Sequence, residues 1–396
     1  MNMKKIRLIV LFLVIVITCK SQWVVENSPG QTGRYHGISF MVNNKAYIGL
    51  GQSQSNTKLI DIWEFDYVTN TWKQMADFPG KGKYASTSFV INNKAYVCLG
   101  ADNNGNGTNE LWEYDSANDS WSQRAAFPGS SRYGASCFVI GDTAYVGTGS
   151  TGSSTLKDFY KYVPSTNTWT AISSLPGDGR SHGIGFSLNQ YGYIGTGYSW
   201  GSVYNDIWKY NPISNTWSSV TPINGARMGA VAFTINNTAY VATGYDLNSE
   251  LNNVQKYSET TNSWEILTTT GNFIGRHAAV VFTNSNKFYI GSGVFISAVL
   301  NDFASYSLTI NGVDNNPELT GADVYPNPFN SVLKINLKKP KQYTEAKIYN
   351  SKGQLVKNQT LTNAENIIET GSFISGFYVI KIINNEDVQE LKLIKK

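Results

Sequence analysis

The sequence predicts an all-β chain, on three observations. It repeats itself at intervals of 47 to 49 residues, its apolar residues alternate in short stretches joined by turn pairs, and it is poor in charge. Charged residues make up 15 % of the 396, against roughly 25 % in an average globular chain, while aromatics reach 13 %. That balance excludes coiled-coil, disordered and helix-rich folds.

Each repeat reads in the same order. A Trp recurs at Trp23, Trp72, Trp121, Trp169, Trp217 and Trp264, and a basic residue at Arg34, Lys83, Arg132, Arg180, Arg227 and Arg276. An alternating stretch such as Gly134–Ile140 follows the basic residue as a first strand. Asn43-Asn44, Asn92-Asn93, Gly141-Asp142 and Asn236-Asn237 come next, pairs that accept positive φ in a two-residue hairpin turn. The second strand begins at Tyr47, Tyr96, Tyr145, Tyr193, Tyr240 or Tyr289 and ends at Gly51, Gly100, Gly149, Gly197, Gly244 or Gly293. A variable loop leads to a third, aromatic strand, as in Asp61–Asp66 and Asp206–Tyr210, and the recurrent Trp opens the fourth.

Six units of four antiparallel strands predict a six-bladed β-propeller over residues 22–307. Unit six carries Arg276, Tyr289, Gly293 and Asp302, but no Trp follows Tyr306, whereas Trp23 precedes the first unit with no strands of its own. Residues 22–28 are therefore expected to form the outermost strand of blade six and to close the ring, which removes exposed sheet edges.

The copy Asn205–Trp217, with Asp206-Ile207-Trp208-Lys209-Tyr210 and Asn215-Thr216-Trp217, resembles a Kelch repeat of the galactose-oxidase-like type. Gly-x-Gly or a single Gly stands where such repeats usually carry adjacent glycines. A copper radical oxidase of that group needs a Tyr crosslinked to Cys with further Tyr and His ligands, and no such set is found. Cys98 and Cys137 fall within predicted strands, as small core residues. No cofactor and no metal site is expected.

Residues 308–322, with Asn311-Gly312 and Asn315-Asn316-Pro317, break the period and read as a linker. Residues 323–396 carry 11 basic and 7 acidic groups, against 17 and 21 over residues 22–322. Alternation in Val332–Leu337 and Phe377–Ile382 predicts a small antiparallel β-sandwich. Three features, Tyr325-Pro326-Asn327-Pro328-Phe329, Gly376-Phe377-Tyr378 and the basic end Lys392–Lys396, resemble the C-terminal sorting domain of type IX secretion cargo. That resemblance implies export by the type IX machinery to the medium or outer surface of a Gram-negative Bacteroidota-type bacterium.

At the other end, Lys4, Lys5 and Arg7 precede ten apolar residues, Leu8–Ile17, and a small-x-small site at Cys19-Lys20-Ser21, which reads as a signal peptide over residues 1–21. Ten residues span about 15 Å as a helix, half a bilayer core, so no transmembrane anchor is expected. Cys19 opens a lipoprotein reading, against which Thr18 stands where lipidation sites usually carry Gly, Ala or Ser. Removing Lys4, Lys5, Arg7 and Lys20 from 32 basic residues leaves 28 against 28 acidic ones, so a nucleic-acid partner has no electrostatic basis.

The loop that leads into the first strand and the loop that leaves the second open at one end of a propeller, so the six basic residues and the variable loops share a rim. A ring of Arg suits an anion, but acids recur at the start of the third strand (Asp61, Glu110, Asp158, Asp206, Asp302), so a blade-building ion pair is favoured. Features confined to some copies mark a ligand better. Tyr198, Trp200 and Tyr204 crowd one loop of blade four, near Arg180 and His182. His36 follows Arg34 by two residues, His277 follows Arg276 directly, and adjoining blades one and six bring His36 and His277 within reach of converging. Exposed aromatics beside polar groups suit a sugar. The sequence thus predicts a propeller that binds glycan or protein at its rim, with no catalytic residues assigned. Sialic-acid mutarotases resemble this fold and supply the alternative, a carbohydrate-active mutarotase or epimerase, with Glu250 or Asp246 near Arg227 as acid or base.

Overall fold

The structure, a computed structural model, describes residues 23–29, 32–267, 269, 273–308, 322–337, 345–350, 354–383 and 388–395. The leader and residues 309–321 of the linker lie outside them. The chain divides after Leu308 into two compact units.

The first unit holds six four-stranded antiparallel sheets among the described residues. In blade one the order is Ile38–Val42, Lys45–Gly49, Ile62–Asp66 and Thr71–Met75. The innermost strand alternates buried and half-buried residues, the second is buried almost throughout, and the fourth is mostly exposed. The sequence forms these strands because the apolar period is two and each turn tolerates left-handed backbone: Asn43 and Asn44 have φ of 51° and 59°.

The innermost strands of successive blades adjoin one another in cyclic order, blade six beside blade one. Two sets of backbone hydrogen bonds cross every seam. In the first, the glycine two residues past each second strand donates to the carbonyl of the next blade's basic residue: Gly51 to Lys83, Gly100 to Arg132, and so on round to Gly293 and Arg34, at 2.7–3.0 Å. Gly51 sits at φ 89°, where a Cβ would lie 2.8 Å from the Tyr35 carbonyl oxygen, so only glycine fits.

The second set lies on the axis. Residues His36, Ala85, Gly134, His182, Gly229 and Ala278, one per blade, all have φ between 51° and 63°. Each donates its N–H to the carbonyl of the preceding residue in the ring, at 2.7–2.9 Å, and His36 donates to Ala278, which completes the circle.

Trp23–Glu26 pairs antiparallel with Phe303–Ser307, as the missing Trp of unit six predicts. Trp23 is buried, stacked on Phe273 with ring centroids 3.9 Å apart. The seam to blade one copies the others: Trp72 Nε1 donates to Asn27 O, as Trp121, Trp169, Trp217 and Trp264 donate to carbonyls of their preceding blades.

The second unit is a sandwich of two antiparallel sheets. One contains Ala322–Tyr325, Val332–Leu337 and Glu365–Glu369; the other Leu355–Thr360, Glu345–Asn350, Gly376–Ile383 and Val388–Lys395. Phe329 is fully buried between them, its ring near Tyr378 and Phe373, and its N–H donates to Ile394 O. One aromatic of each sequence motif, Phe329 and Tyr378, thus builds this core, whereas Tyr325 and Phe377 are exposed.

Candidate functional site

The basic residue of each repeat is 0–1 % exposed. Arg34 binds Asp61 through both terminal nitrogens at 2.9 and 2.7 Å, and Arg132 and Arg276 hold Asp158 and Asp302 in the same bidentate way. Arg180 pairs with Asp206, and Lys83 with Glu110. Each of these four Arg residues also donates to the carbonyl of a residue at the end of the second strand. Arg34, Arg180 and Arg276 are therefore sealed inside their blades, which is where an ion pair has to be saturated to be tolerated, and they present no open face for an anion.

Blade five departs from the pattern. Its acid position holds Asn253, so Arg227 is surrounded by neutral oxygens of Thr243, Asn253, Asn224 and Gly225. Burial without a carboxylate pulls its pKa down to about 10. Asn253→Asp should restore the pair of the other blades and raise stability by about 1–2 kcal/mol at neutral pH. Thermal unfolding of the variant checks this, and an unchanged midpoint would show that the neutral oxygens already suffice.

The two axial histidines come from opposite blades and meet over the ring, their centroids 4.5 Å apart. The ring that meets His36 is that of His182, while His277 reaches both through its charge. The left-handed backbone aims each axial side chain across the ring and not toward the neighbouring seam. His182 Nδ1 lies 3.0 Å from Ser181 Oγ, and its ring covers Gly134, where a Cβ would be about 3 Å from it. Burial lowers the pKa of His182 to about 4, and burial with repulsion from the other histidines takes His36 well below the usual imidazole range. Both rings are neutral at pH 7. Behind them lies a cavity of about 110 Å³ lined by small residues, among them Gly37, Ser86, Ala135 and Gly183.

His277, in blade six, turns its ring toward blade five. Its Nδ1 is 3.8 Å from Glu250 Oε1, and its ring centroid is 5.3 Å from that of Tyr245. Glu250 also accepts from the Ile296 N–H. Neither Glu250 nor Asp246 bonds Arg227: Asp246 accepts from the N–H groups of Asn248 and Ser249 in its own loop. The charge of Asp246 reaches Arg227, but neither acid hydrogen-bonds it.

In blade four, Tyr198-Ser199 and Ser202-Val203 form a small hairpin whose turn is Trp200-Gly201. Tyr198 and Tyr204 are half-buried; Tyr204 lies over the Arg180 guanidinium at 4.4 Å and donates to Asp178. Trp200 is 69 % exposed at φ 45°. Blades five and six repeat the display: Leu247 is 38 % exposed at φ 76° and Ile296 71 % exposed at φ 43°. Equivalent turns in blades one to three place Asn56, Gly105 and Gly152 in the left-handed region. The arc of exposed apolar turn residues over blades four to six was hidden in the sequence, because Leu247 and Ile296 read as ordinary loop residues. The signal available was a bulky residue at a turn position that normally selects Asn or Gly.

Among the described residues no helix is long and apolar enough to cross a membrane, and no group of three or more His, Cys, Asp or Glu gathers as metal ligands do. Cys98 and Cys137 are free thiols; burial raises both, Cys137 to about 12, so neither is a nucleophile at neutral pH.

Residues 41–226 match the KLHDC2/KLHL20/DRC7 Kelch-repeats domain, residues 226–271 the Kelch motif, and residues 323–396 the secretion system C-terminal sorting domain. No curated protein sequence matches the chain. A solved structure titled "Structure of YjhT" superposes with a TM-score of 0.62 at 17 % identity, over 72 % of this chain and 98 % of that one. At that identity the likeness shows the fold alone. The chain is accordingly a Kelch-repeat β-propeller protein that carries a secretion-system C-terminal sorting domain.

Proposed function

We propose that this protein is secreted or displayed at the cell surface, exported by type IX machinery that acts on residues 323–396, and binds a glycan or protein through the loop-rich end of its propeller. The sorting domain supports the export half of this reading. The recognition half rests on Trp200, held 69 % exposed in a left-handed turn. A bulky residue in that region costs on the order of 1–3 kcal/mol, and an exposed indole gains nothing from folding. Loops fixed on a rigid ring are where such a cost is met by a ligand. Arg34, Arg180 and Arg276 serve here as scaffold, and His36 and His182 line the axis.

Trp200→Ala should weaken binding of a ligand identified by glycan array or partner screen by about tenfold and leave the melting temperature nearly unchanged. A fall in stability without a fall in affinity would mean that the indole only packs loops together. The second reading, a carbohydrate-active enzyme of the mutarotase or epimerase type, draws on Glu250 and His277 lying side by side. Turnover of a sugar that disappears in Glu250→Gln would favour it.

A further inference from the structure

The seam between blades six and one has an imidazole on one side. The residue after the basic position is Tyr35, Tyr84, Tyr133, Ser181 and Met228 in blades one to five and His277 in blade six. A cleft of about 230 Å³ opens beside it, walled by Tyr35, Gln52, Ser53, Gln54, His277 and Ser297. Gln54 fixes the wall by crossing the seam: its side-chain oxygen accepts from Val299 N at 2.7 Å and its amide donates to Ser297 O at 3.3 Å.

The chemistry of this wall is uncharged. It offers a phenol, an imidazole, carboxamides and hydroxyls, with Val294 and Val299 as apolar surface. The cations flanking the seam, Arg34 and Arg276, are buried and held by Asp61 and Asp302. An acidic ligand would find no counter-ion there, and burying its charge unpaired is costly. Among the described residues the Tyr35 hydroxyl makes no hydrogen bond, and His277 Nδ1, turned toward Glu250 of blade five, is buried without a hydrogen-bond partner, with the ring held against Tyr245. The volume lies below the 300–1,000 Å³ usual for drug-sized ligands, which limits the occupant to about one ring.

We infer that this seam cleft is a binding site for a single neutral sugar ring, with Tyr35 as stacking surface and donor, and with His277 and Gln52 as polar contacts. The inference rests on the reading of this end of the propeller as the recognition surface, but not on Trp200. Saturation-transfer NMR on the full chain with the methyl glycosides of glucose, galactose, mannose and N-acetylglucosamine, and with glucuronate as the charged comparison, tests it. At least one neutral glycoside should bind, His277→Ala should weaken it about tenfold, and Tyr35→Phe by a smaller factor. Thermal unfolding of each variant establishes that it folds. Absence of neutral binding, binding that survives both seam substitutions, or a preference for glucuronate would overturn the assignment. Should the glycosides fail while Trp200→Ala still weakens another ligand, the seam site alone is lost and the rim reading stands.

Discussion

Trp23→Ala is expected to destabilise the propeller by about 3–5 kcal/mol, as truncation of a buried Trp does. Removal of residues 22–28 should cost at least as much. The Trp23 ring is sandwiched against Phe273 and meets the edge of Phe288 and the ring of Tyr306, so truncation opens a cavity inside blade six. Deletion also strips Phe303–Ser307 of its only outer neighbour and takes Asn27 O away from Trp72. Blade one should therefore loosen too. Denaturant unfolding at neutral pH measures this, and an unaltered midpoint for the deletion would mean that the ring is closed without its N-terminal strand.

Acidification should destabilise the fold by about 4 kcal/mol between pH 6.5 and about 4.5, about 2 kcal/mol for each axial histidine, before most carboxylates titrate. The folded state keeps His36 and His182 neutral, with His182 at about 4, whereas the unfolded chain takes up a proton on each near the ordinary value of 6.5. The unfolded state thus binds more protons through this window, and stability falls with pH. His277, lowered by burial although Glu250 opposes the shift, adds in the same direction. Asp61, Asp206, Glu113 and Glu259, held below their usual range by their partners, lose their contribution only at lower pH. Replacing both axial histidines with Gln should flatten the slope between pH 6.5 and about 4.5. An equal slope in wild type and double variant would show that the imidazoles are free to protonate in place.

The extent to which this site could be read from the sequence follows from how each contact is encoded. Strand order and the hairpin pairs repeat with the period, the missing Trp of unit six points to Trp23, and the acids at Asp61, Glu110, Asp158, Asp206 and Asp302 foretell their ion pairs because each lies 26 or 27 residues after its Arg or Lys. The gap at Asn253 was visible by the same alignment. The meeting of His36 with His182 was not, since it depends on a backbone conformation that points residues of opposite blades at each other, while sequence order suggests the neighbours, blades one and six. The setting of Tyr204 is illegible for a related reason: the sequence shows an aromatic in a loop but not the cation, Arg180, beneath its ring.

The hydrogen-bonded circle at the axis separates shape from chemistry. Its six links use only main-chain atoms, and imidazole, methyl and hydrogen all occur there as side chains without breaking it. What occupies the bore is consequently open to exchange at Ala85 or Ala278, where a new side chain alters the gap's width, polarity or proton affinity, but not at Gly134, where His182 already fills the space of a Cβ. A lineage with this scaffold can thus change what the axis admits by single substitutions, with no need to redesign the blades.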